Sequence, residues 1–283
     1  MKVWIDGAIV DGAQARVPVT DHGFLYGDGV FDAMRAYGRR VFRLDDHLAR
    51  LATALKAVHL QVAGGIPHLR DVVQVTIDAH EHPDCYVRII VTRGEGSLGV
   101  DPSTCGAPRV ICIVDDIKVF PPEALRAGID LVTVSLRRPA ADVLDPRVKS
   151  LNYLNNVLAK REARARGADE ALILNQAGLV AEASVANVFA VVRDELLTPP
   201  PSDGALAGIT RQAVMELAAS QGMRVAERSL GRFDLLGAAE VFLTGTGARI
   251  VPVRTLDGEI IGRGRCGPRT EALIAAFDAL VRA

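Results

Sequence analysis

Lysine is scarce in this sequence, and lysine is the side chain that supplies an amine for covalent chemistry. Only five of the 33 basic residues are lysines; arginine binds anions, but its guanidinium stays protonated and is no nucleophile. Lys149 lies between a proline-containing loop and an apolar segment, where partial burial would favour a reactive amine. A plainer alternative is an exposed lysine in a first helical turn. The other lysines lie at the N-terminus, on predicted helix surfaces or beside a linker: Lys2, Lys56, Lys160 and Lys118.

Several other groups could bind a charged, planar ligand. Glu182 follows a short predicted strand and precedes small residues at 183–186, so a planar ligand could approach its carboxylate, although an ordinary strand-edge charge fits equally. Gly208-Ile209-Thr210-Arg211 opens a predicted helix, where backbone amides favour an anion or a simple N-cap forms. Thr244-Gly245-Thr246-Gly247 and Arg50 could also contact an anion. For these two, a plain turn and a solvated arginine are the simpler interpretations.

The glycine-rich segment at 94–99 matches G-x-G-x-x-G after a predicted strand. A dinucleotide site needs a helix to begin there. Val100-Asp101-Pro102-Ser103 follows instead, which is typical of a loop. The segment is therefore predicted to be a flexible loop that could cover a site, and a nicotinamide oxidoreductase is disfavoured.

Hairpins alternate with helices along the chain, which predicts an α+β (mixed α/β) fold and not a doubly wound parallel sheet. Hairpin turns are predicted at 6–7, 38, 175–178 and 257–258, and further strands at 85–92, 109–114, 129–136, 187–192 and 240–244. Helices are predicted from about Asp46 (capped by Asp45 or Asp46), over 69–80, over 151–166, over 209–220 and from Pro268. In the helix at 151–166, leucines 151, 154 and 158 are expected on the buried face.

Length and proline positions predict two domains. The chain has 283 residues, a length typical of about two domains. Phe120-Pro121-Pro122 interrupts the succession of predicted strands and helices. We expect a smaller N-terminal α/β domain at 1–118, a linker at 119–128 and a larger C-terminal domain at 129–283.

Composition narrows the function classes. The net charge of −1 gives no sign of nucleic-acid or membrane-surface binding, and 49% hydrophobic residues exclude general disorder. No apolar run is long enough for a membrane span, and no signal peptide is recognised. The four cysteines form no C-x-x-C pair, which argues against a zinc site or disulfide framework and predicts a cytoplasmic protein.

Pyridoxal 5′-phosphate requires an amine, a carboxylate, an arginine and turns that can bind a phosphate group. The candidate residues above include all of these. The sequence resembles the class IV aminotransferases (fold type IV pyridoxal-phosphate enzymes) over essentially its whole length. The resemblance is carried by ordered motifs: DHGFLYGDGVF at 21–31, FRLDDHLARL at 42–51, KSLNYL at 149–154, GITR at 208–211, GTG at 245–247 and CGP at 266–268.

The resemblance implies roles for residues of these motifs and a homodimer or larger homo-oligomer. Lys149 would be the catalytic lysine that binds the cofactor covalently, Glu182 the partner of the pyridine nitrogen and Tyr153 the partner of the ring's phenolic oxygen. The cofactor phosphate would be bound by Arg50, Ile209, Thr210 and Thr246.

Within the family, Tyr86-Val87-Arg88 resembles the Tyr-x-Arg pattern of branched-chain aminotransferases. This implies transamination of leucine, isoleucine and valine with 2-oxoglutarate. Tyr86 and the 246–247 amides (Thr246, Gly247) would bind the α-carboxylate, and Arg88 the second carboxylate of glutamate. Tyr26 and Phe31 would line the apolar side, and the loop at 93–101 would act as a lid.

Two departures and several rival functions accompany this interpretation. Ala183 to Ala186 add bulk where the family usually has glycine, and Arg249 stands where an acid is common.

The rivals on the same scaffold are a D-amino-acid aminotransferase, an (R)-selective amine transaminase and aminodeoxychorismate lyase. A non-catalytic cofactor carrier is disfavoured because it would need neither Lys149 nor Glu182.

Overall fold

The computed structural model of the chain describes residues 1–117 and 127–283. The chain divides into two compact units, Met1–Lys118 with Val148–Asn152, and Val119–Arg147 with Tyr153–Ala283. The sequence placed all of 129–283 in one domain, whereas the short segment Val148–Asn152 groups with the first unit. Most of the expected linker at 119–128, including Phe120-Pro121-Pro122, lies outside the described residues.

The first unit contains a six-stranded antiparallel sheet in the order β2-β1-β6-β5-β3-β4. Its strands are β1 (Lys2–Ile5), β2 (Ala8–Asp11), β3 (Gly29–Tyr37), β4 (Arg40–Val41), β5 (Cys85–Thr92) and β6 (Arg109–Asp115). Its helices are α1 (His22–Tyr26), α2 (Leu44–Ala57) and α3 (Gly65–Asp78), with a 3₁₀ turn at Pro102–Thr104. The predicted hairpins at 6–7 and 38 are present, and Asp6 and Gly7 take the left-handed conformation that such a two-residue turn requires.

The start of α2 differs from the prediction. We expected Asp45 or Asp46 as the cap, but Arg43 is the N-cap residue and the helix begins at Leu44. Both aspartates lie in the first turn instead, where their charges interact favourably with the helix dipole. The leucines at 48, 51 and 55 are buried as their spacing predicted, and they join β3 and β5 in the core of this unit.

The second unit contains a nine-stranded mixed sheet in the order β12-β11-β10-β13-β14-β7-β8-β9, with β15 paired to β14. The strands are β7 (Ile129–Arg137), β8 (Glu170–Leu174), β9 (Val180–Ala183), β10 (Asn187–Val192), β11 (Glu195–Thr198), β12 (Arg224–Glu227), β13 (Glu240–Gly245), β14 (Arg249–Leu256) and β15 (Glu259–Ile260). The helices are α4 (Ala141–Leu144), α5 (Leu154–Ala165), α6 (Ile209–Ser220), α7 (Arg232–Leu236) and α8 (Pro268–Leu280), with a 3₁₀ turn at Pro201–Asp203. The mixed helix-and-sheet prediction is confirmed.

Helix α5 buries a different face from the one predicted. Leu154 and Leu158 are exposed, and the buried residues are Asn156, Ala159 and Ala163. The small alanines let the helix pack closely on the sheet, where they share a core cluster with residues of β7 and β8. Leu151 is not helical, because its N–H is bonded to the carbonyl of Gly29 at 2.9 Å. The hydrophobic spacing was correct for a helix but not for its buried side.

In the described parts of the chain, the helices are all too short or too polar to cross a membrane.

Candidate active site

Lys149 is fixed by its backbone to strand β3. Its carbonyl accepts a 2.9 Å hydrogen bond from the N–H of Phe31, and the next residue, Ser150, forms a β-bridge with Val30. The lysine is half-buried, as its position between loop and apolar segment suggested. Backbone hydrogen bonds to β3 therefore hold the irregular segment that carries this amine within the first unit.

The ring of Phe31 brings three predicted site residues together. The Lys149 Nζ lies 4.6 Å from the ring centroid, and the Arg88 guanidinium carbon lies 4.8 Å from the same centroid. Arg88 donates from Nη2 to the Tyr86 hydroxyl at 3.4 Å. Phe31 lies on β3, Arg88 and Tyr86 lie on the neighbouring strand β5, and Lys149 comes from the segment bonded to β3. The amine and the guanidinium therefore lie against one buried aromatic ring, and Tyr86 is linked to it through Arg88.

Tyr26 and the glycine-rich loop are linked directly. The Tyr26 hydroxyl accepts a hydrogen bond from the N–H of Gly99 at 2.8 Å, and its ring packs edge-on against His22. His22 lies 2.9 Å from the carbonyl of Ser97 through Nε2. At Gly94 a Cβ would meet the Ala107 carbonyl at 2.2 Å, so the loop needs glycine where it leaves β5. The expected loop is present, and Tyr26 holds its tip.

Arg50 forms a buried ion pair with Asp32. Its Nε and Nη2 donate to the two carboxylate oxygens at 2.9 and 2.8 Å, and His47 lies 2.8 Å from the same carboxylate. Burial, the largest single effect on Asp32, acts to raise its pKa. The hydrogen bonds and charges of His47 and Arg50 together outweigh it, so the pKa of Asp32 lies well below its ordinary value. Arg50 is thus held by a partner that is charged at neutral pH.

Glu182 lies on β9 of the second unit with its carboxylate almost fully buried. One oxygen accepts from Arg138, whose Nε also donates to the Gly204 carbonyl at 3.2 Å. The other accepts from Asn187 at 3.1 Å and from the N–H of Leu206 at 3.0 Å. Only donors contact this carboxylate in the hydrogen bonds of the described residues, an arrangement that suits its anionic form.

Helix α6 presents an N-terminus that no side chain of the described residues caps. Gly208 precedes it, and a Cβ at Gly208 would lie 2.1 Å from the Asn187 side-chain oxygen, so a larger residue there would displace the Asn187 side chain. Thr210 is buried and Ile209 half-buried. The amides at such a helix end attract anions.

The remaining predicted site residues occupy turns of the second unit. Thr246 and Gly247 form the half-buried turn between β13 and β14, and Tyr153 is the half-buried N-cap residue of α5. Arg249 forms an ion pair with Asp278 of α8. The reversed charge at 249 therefore has a carboxylate partner in the fold.

The segment 183–186 uses its small residues for packing. Ala183 and Ala186 belong to the core cluster of the second unit, and Ser184 donates to the buried carboxylate of Glu170. Val185 is 69% exposed. Of the side chains that add bulk relative to glycine, the alanine methyl groups therefore lie in the core and the Val185 side chain lies on the surface.

Comparison with known proteins decides the family. The sequence profile of the amino-transferase class IV family matches residues 29–256. The chain belongs to the class IV aminotransferases. It is 44% identical over 277 residues to a putative branched-chain-amino-acid aminotransferase of Methanocaldococcus jannaschii, covering 98% of this chain and 95% of the relative.

Solved structures agree with this family membership. A branched-chain amino acid aminotransferase of Escherichia coli superposes with a TM-score of 0.95 at 35% identity, covering 99% of this chain and 94% of the other. A branched-chain amino acid aminotransferase from Thermobaculum terrenum, solved in its PLP-form, gives a TM-score of 0.88 at 28% identity, covering 99% and 93%. The resemblance stated from sequence motifs is confirmed.

Sequence reasoning about this class IV aminotransferase missed the partners of its charged site residues. Asp32 carried a usable signal, an acid within the apolar strand β3. Asn187 was predicted only as the first residue of the strand at 187–192. Arg138 carried no local signal, because its partner Glu182 is 44 residues away.

Proposed function

We propose that the protein catalyses pyridoxal 5′-phosphate-dependent transamination of the L-branched-chain amino acids leucine, isoleucine and valine. 2-Oxoglutarate is the amino acceptor, and the products are branched 2-oxo acids and L-glutamate. The observation that carries the proposal is the Phe31 ring, against which the Lys149 amine and the Arg88 guanidinium both lie. The names of the relatives support the same reaction.

The residues present fit the cofactor. The Lys149 amine is half-buried and backbone-fixed, the Glu182 carboxylate is buried among donors, and the α6 N-terminus is uncapped among the described residues. When bound, pyridoxal 5′-phosphate supplies an electron sink for the pair left on the substrate Cα after proton removal. A dedicated residue matches each of its charged or reactive groups.

Lys149 performs the proton transfer in this proposal. Its amine would hold the cofactor covalently and, as a free amine beside the substrate, would carry the proton between the substrate Cα and the cofactor C4′ carbon. Glu182 would keep the pyridine nitrogen protonated, and Tyr153 would donate to the phenolic oxygen. Arg50 and the amides and hydroxyls of Ile209, Thr210 and Thr246 bind the phosphate.

Substrate recognition follows from the first unit's aromatic and cationic residues. Phe31 and Tyr26 offer apolar contact to a branched side chain, and Arg88 offers a fork of donors to the second carboxylate of glutamate. Tyr86, with the turn at Thr246 and Gly247, binds the α-carboxylate. One site thereby accepts an apolar donor and an acidic acceptor in turn.

We further propose that the protein is cytoplasmic and works as a homodimer or larger homo-oligomer. All four cysteines are free, as is usual in a reducing compartment. Leu154, Val157 and Leu158 leave an exposed apolar face on α5, of the kind that subunit contacts cover.

A Lys149→Ala substitution tests the assignment of the reactive amine. The variant should lose the visible absorbance band of covalently bound cofactor and nearly all transaminase activity, whereas Lys56→Ala, an exposed lysine on α2, should keep both. Retention of the band by Lys149→Ala would refute this role for Lys149.

Substrate choice is tested by mixing the cofactor-loaded protein separately with L-leucine and with D-alanine. Bleaching of the band by L-leucine alone supports the proposal. Bleaching by D-alanine alone would favour a D-amino-acid aminotransferase, and a colourless protein that cannot be loaded would favour a non-catalytic relative.

A further inference from the structure

Two histidines and an aspartate meet at one end of the first unit's sheet. His80 and His82 lie in the turn between α3 and β5, and Asp116 directly follows β6. His80 Nε2 lies 3.2 Å and His82 Nδ1 2.7 Å from the same Asp116 oxygen. The three potential ligand atoms all lie within 4.8 Å of one another.

The backbone that carries the two imidazoles is held in place before any ligand binds. Arg39, from the β3–β4 turn, donates to the carbonyls of Ile77 and His80 at 2.9 and 3.1 Å. The N–H of Arg39 also donates to the Pro83 carbonyl at 2.7 Å. The ligands therefore need no ordering of the chain on binding, which lowers the entropic cost of forming a site.

The three side chains differ in freedom in a way that suits a metal site. The His80 side chain is 5% exposed, whereas those of His82 and Asp116 are 63% and 57% exposed. One ligand is fixed by packing, and the other two can rotate to complete the coordination geometry. In a tetrahedral site with bonds of about 2.0–2.1 Å, ligand atoms lie about 3.3 Å apart. The His80–Asp116 distance of 3.2 Å already matches this spacing, and the His82–Asp116 distance of 2.7 Å would widen by rotation of the two exposed side chains.

We propose that His80, His82 and Asp116 bind one divalent transition-metal cation of the Zn²⁺ class. Two imidazoles and one carboxylate are the donor set that such cations favour, whereas Ca²⁺ and Mg²⁺ prefer all-oxygen surroundings. Three protein ligands leave a position for water, so the cation is exchangeable. The cysteine pattern argued against a zinc site, but these ligands are brought together by the fold and include no thiol.

Binding would clamp the turn before β5 to the end of β6. The ligands are 34 and 36 residues apart in sequence, so the cation would close a long loop only in the folded state. A ligand that binds only the native state raises stability. This proposal is independent of the proposed transamination, since none of its residues has been assigned to cofactor or substrate.

The experiment is Zn²⁺ titration by calorimetry of the full-length, cofactor-loaded protein without a polyhistidine tag, after chelator treatment and dialysis. We expect one Zn²⁺ per chain, a rise in Tm of several degrees, and no comparable response to Mg²⁺. His82→Ala and Asp116→Asn should each weaken Zn²⁺ binding by about 10–100-fold or more. Mutating residues that merely hydrogen-bond to a metal ligand already costs about that much affinity.

His68→Ala is the matched control, because it removes an imidazole of the same unit that packs on Trp4 outside the cluster, and it should bind Zn²⁺ like the wild type. The proposal is overturned if the wild type shows no stoichiometric binding. It is equally overturned if His82→Ala and Asp116→Asn bind Zn²⁺ as tightly as the wild type, since both alter exposed side chains and leave the fold intact.

Discussion

In each unit of the molecule, a buried carboxylate is paired with an arginine at the proposed site, but the two pairs serve opposite purposes. In the first unit Asp32 holds Arg50, the group proposed to bind the cofactor phosphate. In the second unit Arg138 holds Glu182, and here the carboxylate is the group proposed to meet the cofactor. The same kind of ion pair thus positions a cation in one unit and an anion in the other.

The pairs also differ in where their partners come from. Asp32 is bonded to His47 and Arg50 of one helix, α2, so its contacts also attach that helix to β3. Glu182 is bonded to Arg138, Asn187 and Leu206 from three separate segments. We therefore expect a change of Glu182 itself to act mainly on catalysis, whereas changes of Arg138 or of the first pair act on stability as well.

Glu182→Gln should have the largest effect of any change at these pairs. Glutamine keeps the shape of the side chain but cannot keep the pyridine nitrogen protonated, so kcat should fall by roughly 100-fold or more, as for loss of other preorganised electrostatic groups. Single-turnover kinetics measures this fall, with circular dichroism as the control for folding. A kcat within a few-fold of wild type would remove Glu182 from its proposed role.

Arg138→Met should come next, because it leaves a buried carboxylate without its charged partner. Breaking a buried pair typically costs about 3–5 kcal/mol, which urea denaturation measures as a lower transition midpoint. Arg138→Lys should restore part of the stability. The pH dependence of the visible cofactor band distinguishes positioning from mere packing: it should shift in Arg138→Met and return toward wild type in Arg138→Lys.

Asp32→Asn should lower the free energy of unfolding less, by about 1–3 kcal/mol, since the isosteric amide keeps one accepting oxygen. Its NH2 group cannot accept the second hydrogen bond from Arg50. Its clearest signature is in pH dependence. The depressed pKa of Asp32 gives stability that is present above the ordinary aspartate range and lost as pH falls below it. Acid unfolding curves should therefore be flatter in Asp32→Asn than in wild type below about pH 4, and parallel curves would contradict the account.

Asn187→Ala should give the smallest effect, because it removes one of the donors to Glu182. A single hydrogen bond contributes about 1 kcal/mol, so a several-fold loss of activity is expected from steady-state kinetics. Thr198→Val is a suitable control, since it removes a buried hydrogen bond to the Val188 carbonyl elsewhere on the same sheet. An equal loss of activity in both variants would show that Asn187 acts only through stability.

Much of the fold was predictable because it is encoded locally. The strand at 187–192 and the helix at 209–220 have the predicted limits, since alternation and helical spacing are properties of short segments. The buried face of α5 was not predictable, because exposed leucines and buried alanines depend on which surface the sheet presents. Likewise, the cap of α2 depends on the left-handed backbone of Arg43, which sequence pattern does not signal.

The candidate site divides in the same way. Lys149, Glu182 and the 208–211 turn were proposed as candidates from residue type and local context, and family resemblance supplied their expected roles. The partners that hold them were not found, because the link from Glu182 to Arg138 spans 44 residues. Nor did sequence spacing connect Asp116 with His80 and His82, which only the pairing of β5 with β6 brings together.

The return of Val148–Asn152 to the first unit has a consequence for how this chain can be divided. The polypeptide passes from one unit to the other three times, so no single cut yields two intact pieces. A fragment ending before residue 119 would lack both a bonded segment of its own unit and the lysine at 149. Exchange of modules with a relative by one crossover would therefore separate the reactive amine from the strand that positions it.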